Sequence, residues 1–84
     1  MKFSVTVTLK KNVLDPQGKV VENTLKNLGM LNLKSIRQGK FFEIEIEEKN
    51  EEVAKKKVNE MCIKLLVNLI IEDYEINKIK WNHQ

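Results

Sequence analysis

The most restrictive feature of this sequence is a strict alternation of apolar and polar side chains over residues 2–10. Successive side chains of an extended strand point to opposite faces, so the alternation predicts a strand with one buried face and one wet face. The apolar positions are Phe3, Val5, Val7 and Leu9, and the polar ones are Lys2, Ser4, Thr6, Thr8 and Lys10. Such a strand needs other elements to cover its apolar face.

A helix start signal follows at Asp15 and Pro16. The Asp15 carboxylate can accept the backbone N–H of Gly18, and a proline at the first helical position sacrifices no hydrogen bond. Gly29 stands where a left-handed C-cap belongs. The apolar residues between these signals recur at helical spacing, at Val21, Leu25 and Leu28. We therefore predict a first helix that ends just before Gly29.

The central part of the sequence predicts a hairpin. A short apolar strand is expected near residues 33–37, and Gln38-Gly39 is typical of a tight turn because glycine tolerates positive φ. The return strand alternates again. Its inward residues are Phe42, Ile44 and Ile46, and its outward residues are Phe41, Glu43, Glu45 and Glu47.

A second helix and a last strand complete the pattern. Asn50 can cap the helix, and Glu51 and Glu52 suit the positive end of its dipole. Its apolar stripe consists of Val53, Ala54, Val58, Met61, Cys62, Leu65 and Leu66. The last strand is expected over residues 70–79, with Tyr74 and Ile76 in the core.

The predicted order, β-α-β-β-α-β, is that of the ferredoxin-like fold. We expect an α+β two-layer sandwich with a four-stranded antiparallel sheet and two helices on one face. The first strand would lie between the third and the fourth. One domain is expected over residues 1–80, followed by a C-terminal tail at residues 81–84, in which the role of Trp81 is left open.

Composition limits how so small a domain can be stabilised. Disulfides are excluded within the chain because Cys62 is its only cysteine, and one Cys with one His, His83, falls short of the four ligands of a structural zinc site. Association with other subunits is the remaining way to bury more apolar surface. The net charge of +3, from 15 basic and 12 acidic residues, favours solubility over polyanion binding. No run reaches the roughly 20 apolar residues of a membrane span, and the N-terminus is no signal peptide. We expect a cytoplasmic protein that binds no membrane.

No set of residues predicts catalysis, a cofactor or a metal site. Glu72 and Asp73 are neighbours in a strand, so their carboxylates point to opposite faces and cannot act as an acid/base pair. Cys62 lies on an apolar helix face and is interpreted as a buried structural thiol. No triad can be assembled around His83. The run over residues 55–57 (three lysines) is interpreted as a solvated helix face.

RNA binding is considered because RNA-recognition domains share this element order. Their sheets expose aromatic side chains on the first and third strands. Here the corresponding positions are Ser4, Thr6, Thr8, Phe41, Glu43 and Glu45. The glutamates would repel phosphate, so no nucleic-acid partner is expected.

Two stretches of the chain resemble the signatures of one family. The first comprises Val13, Leu14, Asp15, Pro16, Gln17 and Gly18. The second comprises Met61, Cys62, Lys64, Leu65, Leu66, Asn68, Ile71, Glu72, Asp73 and Tyr74, and Gly39-Lys40 also fits. In this order they resemble the PurS family, the small subunit of phosphoribosylformylglycinamidine synthase. The sequence departs from the family pattern at Val67 and Leu69 and in its basic tail over residues 78–84.

The resemblance implies a non-catalytic subunit of a carbon–nitrogen ligase in purine biosynthesis. In this enzyme a large synthetase subunit binds ATP, with Mg²⁺, and formylglycinamide ribonucleotide (FGAR). A glutaminase subunit releases ammonia from glutamine. The small subunit forms a homodimer, or a dimer of dimers, that bridges the two and supports ammonia transfer without a cofactor of its own.

The signature stretches also supply the candidate interface residues. They are Asp15, Pro16, Gln17, Gly18, Glu72, Asp73 and Tyr74. Each of them can instead be structural, and capping alone would explain Asp15 and Pro16. The rival function is a stand-alone regulatory module that binds a small metabolite, for which the only argument is analogy of fold.

Overall fold

Three antiparallel strands form the sheet of the computed structural model, which describes residues 1–79. They are β1 (Lys2–Leu9), β2 (Gly39–Glu45) and β3 (Glu72–Ile79). β1 lies in the centre, and its register places Val5 opposite both Phe42 and Ile76. The central position of the first strand, between the strands predicted as third and fourth, is confirmed.

The alternation in β1 divides core from solvent except at Ser4, which was predicted on the wet face but is only 8% exposed. Phe3, Val5 and Val7 are fully buried, whereas Thr6 and Thr8 on the opposite face are exposed. The rest of the buried apolar cluster comes from the second helix and the segment after it, and consists of Ala54, Val58, Cys62 and Val67. Cys62 is therefore a buried thiol, and burial raises its pKa.

The first helix, α1 (Pro16–Asn27), has the predicted caps. The Asp15 carboxylate accepts the Gly18 N–H at 3.0 Å. At the other end Gly29 has a φ of +103°, and the Met30 N–H donates to the Leu25 carbonyl at 3.1 Å. This arrangement is a Schellman motif, which satisfies the last carbonyls of the helix.

Of the apolar residues predicted to form one face of α1, Val21 and Leu28 are exposed and Leu25 is half-buried. Val20 and Leu28 are 65% and 71% exposed, while the buried residues of the helix are Gly18 and Glu22. α1 forms no extensive contact with any strand or with the second helix. The expected layer of two helices on one face of the sheet is therefore not formed by the residues that the structure describes.

The shape of the described residues reflects this arrangement. Their Cα radius of gyration is 16.5 Å, and their extents are 50 × 37 × 14 Å. A compact domain of this length has a radius of gyration of about 12 Å. The sheet and the second helix form the packed part, and α1 projects from it.

The predicted four-stranded sheet is also wrong for the described residues. Residues 33–38 pair with none of the described strands, and two of them, Arg37 and Gln38, bind the connection between β1 and α1. The expected turn at Gln38-Gly39 is absent, since Gly39 begins β2 directly opposite Thr8. Gly39 is also not among the glycines with positive φ. The fold is α+β, with three strands.

The second helix, α2 (Glu51–Met61), starts at the predicted cap. The Asn50 side chain accepts the N–H groups of Glu52 and Val53 at 2.9 and 3.2 Å. A single π-helical turn (Cys62–Leu66) follows, closed by the Val67 N–H on the Cys62 carbonyl. Leu65, which was predicted on the apolar stripe of this helix, lies in this turn and is 83% exposed.

The last strand begins later than predicted, at Glu72, but Tyr74 and Ile76 pack against the core as expected. None of the helices in residues 1–79 is long and apolar enough to cross a membrane. The predictions for Trp81, His83 and the tail at residues 81–84 fall outside the residues that the structure describes.

Candidate functional site

The fold brings the two signature stretches together. Asp15 and Gln17 from the first stretch and Glu72 from the second line one cavity of about 160 Å³. The rest of its lining comes from the ends of β1 and β2 and consists of Val7, Leu9, Gln38, Gly39 and Lys40. We call this cavity the notch. Residues more than 50 positions apart in sequence thus form one surface feature, which the separate signatures could not show.

Asp15 has two roles in this notch. One carboxylate oxygen accepts the Gly18 N–H at 3.0 Å, which caps α1, and the other accepts the Gln38 N–H at 2.8 Å. These backbone donors, Gln38 before Gly18, and the nearby Arg37 charge hold the pKa of the Asp15 carboxyl below its usual range. The capping role is confirmed, and a role in contact with a partner stays a prediction.

Glu72 is the other carboxylate of the notch. It accepts the Asn68 N–H at 2.7 Å, and Lys40 Nζ lies 3.5 Å from its second oxygen. The Glu72 side chain is 10% exposed, whereas Lys40 is 61% exposed. Glu72 thereby fixes the turn before β3, and the Lys40 ammonium is the charge that a partner would meet.

Two glycines allow close approaches of the backbone, Gly39 in the notch and Gly18 in the first turn of α1. At Gly39 a Cβ would lie 2.4 Å from the Val7 carbonyl oxygen, and at Gly18 a Cβ would lie 2.5 Å from an Asp15 oxygen. Non-bonded carbon and oxygen atoms do not approach so closely without a shift of the structure. Both positions therefore need glycine for its small size.

Asp73 and Tyr74 lie outside the notch. Asp73 is exposed on the open face of the sheet, opposite Thr8, so the predicted divergence from Glu72 is confirmed. The Tyr74 hydroxyl donates to Asn59 Oδ1 at 2.5 Å and thus ties β3 to α2. The hydrogen-bonding group of Tyr74 is engaged within the chain.

The notch continues into an apolar concavity on α1. Pro16, Val20 and Val21 line a volume of about 430 Å³ together with Gln17 and Gln38, which also line the notch. A polar recess and an apolar helix face therefore form one continuous surface. Sequence reasoning missed the part played by Gln38, because its contact to Asp15 is made by the backbone N–H and leaves no trace in the side-chain pattern.

The chemistry available at this surface is recognition. Within residues 1–79, no three His, Cys, Asp or Glu side chains lie close enough together to hold a metal ion. The carboxylates of Asp15 and Glu72 are both occupied by backbone N–H donors. Groups held in this way position a binding surface, and they offer neither a nucleophile nor a free base.

Comparison with known proteins gives the same family over the chain's length. Residues 2–80 match the family model for PurS, described as phosphoribosylformylglycinamidine (FGAM) synthase. The phosphoribosylformylglycinamidine synthase subunit PurS of Methanocaldococcus jannaschii is 45% identical over 75 residues, covering 89% of this chain and 90% of that protein. The Bacillus subtilis subunit is 42% identical, covering 87% and 86%.

Solved structures agree with the sequence relatives. The crystal structure of PurS from Methanocaldococcus jannaschii superposes with a TM-score of 0.81 at 46% identity, covering 94% of this chain and 98% of that one. A chain in a structure of PurLQS from Thermotoga maritima gives a TM-score of 0.86 at 37% identity, covering 93% and 95%.

Proposed function

Because this chain belongs to the PurS family of FGAM synthase subunits, we propose that it acts in the enzyme as a bridge. It would join a large synthetase subunit to a glutaminase subunit and support the transfer of ammonia between them. FGAR, glutamine and ATP would be consumed by those partners, and ATP and Mg²⁺ would be bound by the synthetase. We place the complex in the cytoplasm and assign this chain no cofactor.

The observation that carries this proposal is the apolar face of α1 that the chain leaves uncovered. Val20, Val21 and Leu28 are 65%, 41% and 71% exposed on one side of the helix. Burying apolar surface is worth about 25 cal/mol per Å², so a small domain that leaves this face in water gives up stabilisation that it needs. Covering this face with another protein restores that stabilisation.

A second copy of the chain is the first partner that we propose for this surface. A homodimer, or a dimer of two dimers, buries two equivalent helix faces at once and leaves other surfaces for the larger subunits. The adjoining notch offers those subunits polar groups, which include the exposed side chains of Lys40 and Gln17. The interface candidates of the signature stretches remain proposals in this scheme.

Reconstitution with and without this chain tests the bridging role. We expect glutamine-dependent FGAM synthesis by the synthetase and glutaminase subunits to collapse when the chain is left out. Synthesis driven by added ammonia should suffer much less, because it bypasses transfer between the two. The chain alone should hydrolyse neither ATP nor glutamine. Full glutamine-dependent activity in its absence would refute the bridge.

A variant pair locates the effect on α1. Val20→Glu with Leu28→Glu places charges on the uncovered face, and we expect it to reproduce the loss of glutamine-dependent synthesis. Lys56→Glu changes the charge at an exposed position of the other helix, α2, and serves as the control. Equal activity of the two variants would remove α1 from the proposed interface.

A further inference from the structure

We propose that Asp15 and Arg37 are positioning residues that together form a clasp, which fixes the direction in which α1 leaves the sheet. Its importance for assembly rests on the proposed function, because α1 carries the apolar face that we assign to partner contact. Neither residue needs to touch a partner for this role.

The clasp is reciprocal between two connections of the chain. From residues 33–38, the Arg37 guanidinium donates to the Val13 and Lys10 carbonyl oxygens at 2.8 and 3.1 Å. It also approaches the Lys11 carbonyl at 3.4 Å. From the other connection, the Asp15 carboxylate accepts the Gln38 N–H at 2.8 Å. Each connection thus binds the backbone of the other through a charged side chain.

The two connections are the segments that enter and leave α1. Residues 10–15 lead into the helix, and residues 28–38 lead from it back to β2. Since α1 has no extensive contact with the sheet or with α2, its orientation depends on how these two segments are held. The first turn of α1 also lies close against the second segment, because a Cβ at Gly18 would be 2.9 Å from the Ile36 carbonyl oxygen.

The contacts exceed what helix capping requires. A cap needs only the hydrogen bond from Gly18 to Asp15, whereas the bond from Gln38 joins two separate segments. Glu22, buried on α1, binds Lys19 and Lys26 of the same helix at 3.3 and 3.2 Å, so it does not tie the helix to its surroundings. The Lys10 N–H also holds the first connection to the Ile71 carbonyl at 2.9 Å, but the side-chain hydrogen bonds that join the two connections to each other come from Asp15 and Arg37.

Arginine suits this position better than lysine would. Its planar guanidinium presents several N–H donors in a fixed fork, and here it reaches three carbonyl oxygens in one bend of the chain. A lysine ammonium at the end of a flexible stem cannot hold the same three acceptors with one geometry. Arg37→Lys therefore keeps the charge and removes the Arg37 half of the clasp, while Asp15 keeps its bond to the Gln38 N–H.

Spin-label distances measure the clasp directly. Labels on Asn23→Cys in α1 and Thr6→Cys on the open sheet face report the orientation of the helix, and Cys62 is fully buried, away from the reagent. Labelled chain is diluted with unlabelled chain so that distances arise within one molecule. We expect a narrow distance distribution in the parent chain and a broad one with Arg37→Lys. Lys34→Ala, which removes an exposed cation from the same segment, should leave the distribution narrow.

Assembly gives the second readout. We expect Arg37→Lys to weaken binding to the larger subunits by at least about tenfold, the effect of losing one hydrogen bond to a charged group. An unchanged distance distribution with Arg37→Lys overturns the clasp even if the bridging role holds. Conversely, Arg37→Lys could give a broad distance distribution and still support normal glutamine-dependent synthesis. That result would support the clasp and contradict its link to assembly.

Discussion

The backbone of Gly39 passes so close to β1 that a Cβ at this position would lie 2.4 Å from the Val7 carbonyl oxygen. Both residues are in paired strands, so neither can move without disturbing the ladder. Gly39→Ala must push β2 away from β1 at the end that lines the notch. We expect it to lower the free energy of unfolding by more than about 1 kcal/mol in urea titrations.

The neighbouring variant Gln38→Ala is the control for this prediction. The side chain of Gln38 is exposed and its contact to Asp15 is made by the backbone, so the variant should unfold like the parent chain. Equal stability of Gly39→Ala and Gln38→Ala would show that the close approach is not required.

Gly39 also shows a limit of what could be predicted from the sequence. Glycine in that context predicted a turn, because positive φ is its commonest use, but here it is needed for its missing side chain. The caps at Asp15 and Asn50 were predicted correctly because capping depends on residues two or three positions apart. Strand pairing depends on distant partners, and residues 33–38, of which Arg37 and Gln38 bind the β1–α1 connection, pair with none of the described strands.

The orientation of α1 was unpredictable for a similar reason. Helical spacing identifies an apolar face, as Val21, Leu25 and Leu28 did, but it does not say whether that face is covered by the same chain. The notch was also hidden, although most of its residues belong to the signature stretches or the Gly39-Lys40 pair. Its polar contacts involve backbone N–H groups, which have no sequence signal.

Two phenylalanines on opposite faces of the sheet test the assignment of the core. Phe3 is fully buried and Phe41 is 63% exposed. Phe3→Ala should cost about 3–5 kcal/mol, which is as much as a core of this size supplies, so we expect the variant to lose its cooperative thermal transition. Phe41→Ala should stay within about 0.5 kcal/mol of the parent chain. Similar losses from both would mean that the buried face has been misassigned.

Acid should remove the stabilisation that the charged Asp15 carboxylate gives to the folded chain. Its pKa in the folded chain is lowered from the ordinary 3.8, chiefly by the N–H groups of Gln38 and Gly18 and also by the charge of Arg37. Folding therefore favours the charged form. The stabilisation from Asp15 is complete above pH 3.8. It is lost as the pH falls through the pKa that Asp15 has in the folded chain, which is lower.

Asp15→Asn isolates this effect, because asparagine keeps an N-cap acceptor and does not titrate. Urea midpoints of the two chains, measured from neutral pH down to about pH 2, should differ at neutral pH and converge in acid. Other carboxylates with lowered pKa values, such as Glu22 and Glu48, are common to both chains and cancel in the difference. A difference that grows in acid would contradict the assignment.

The hydrogen bond from Tyr74 to Asn59 is expected to stabilise the packing of β3 against α2. We predict a coupling energy of about 0.5–1.5 kcal/mol from a double-mutant cycle with Tyr74→Phe and Asn59→Ala. Because the hydroxyl is engaged within the chain, Tyr74→Phe should leave assembly with the larger subunits unchanged. Additive effects of the two single variants would contradict the coupling. An assembly defect specific to Tyr74→Phe would instead indicate that Tyr74 contacts a partner.

The most direct test of the account is the mass of the particle in solution. Sedimentation equilibrium of the chain at micromolar concentration should give a dimer or a larger oligomer of the 9.9 kDa protomer, and mixing with both larger subunits should give one complex containing all three. Val20→Glu with Leu28→Glu should shift the isolated chain toward monomer. A monodisperse monomer that joins neither larger subunit would contradict the claim that α1 exposes its apolar face for assembly.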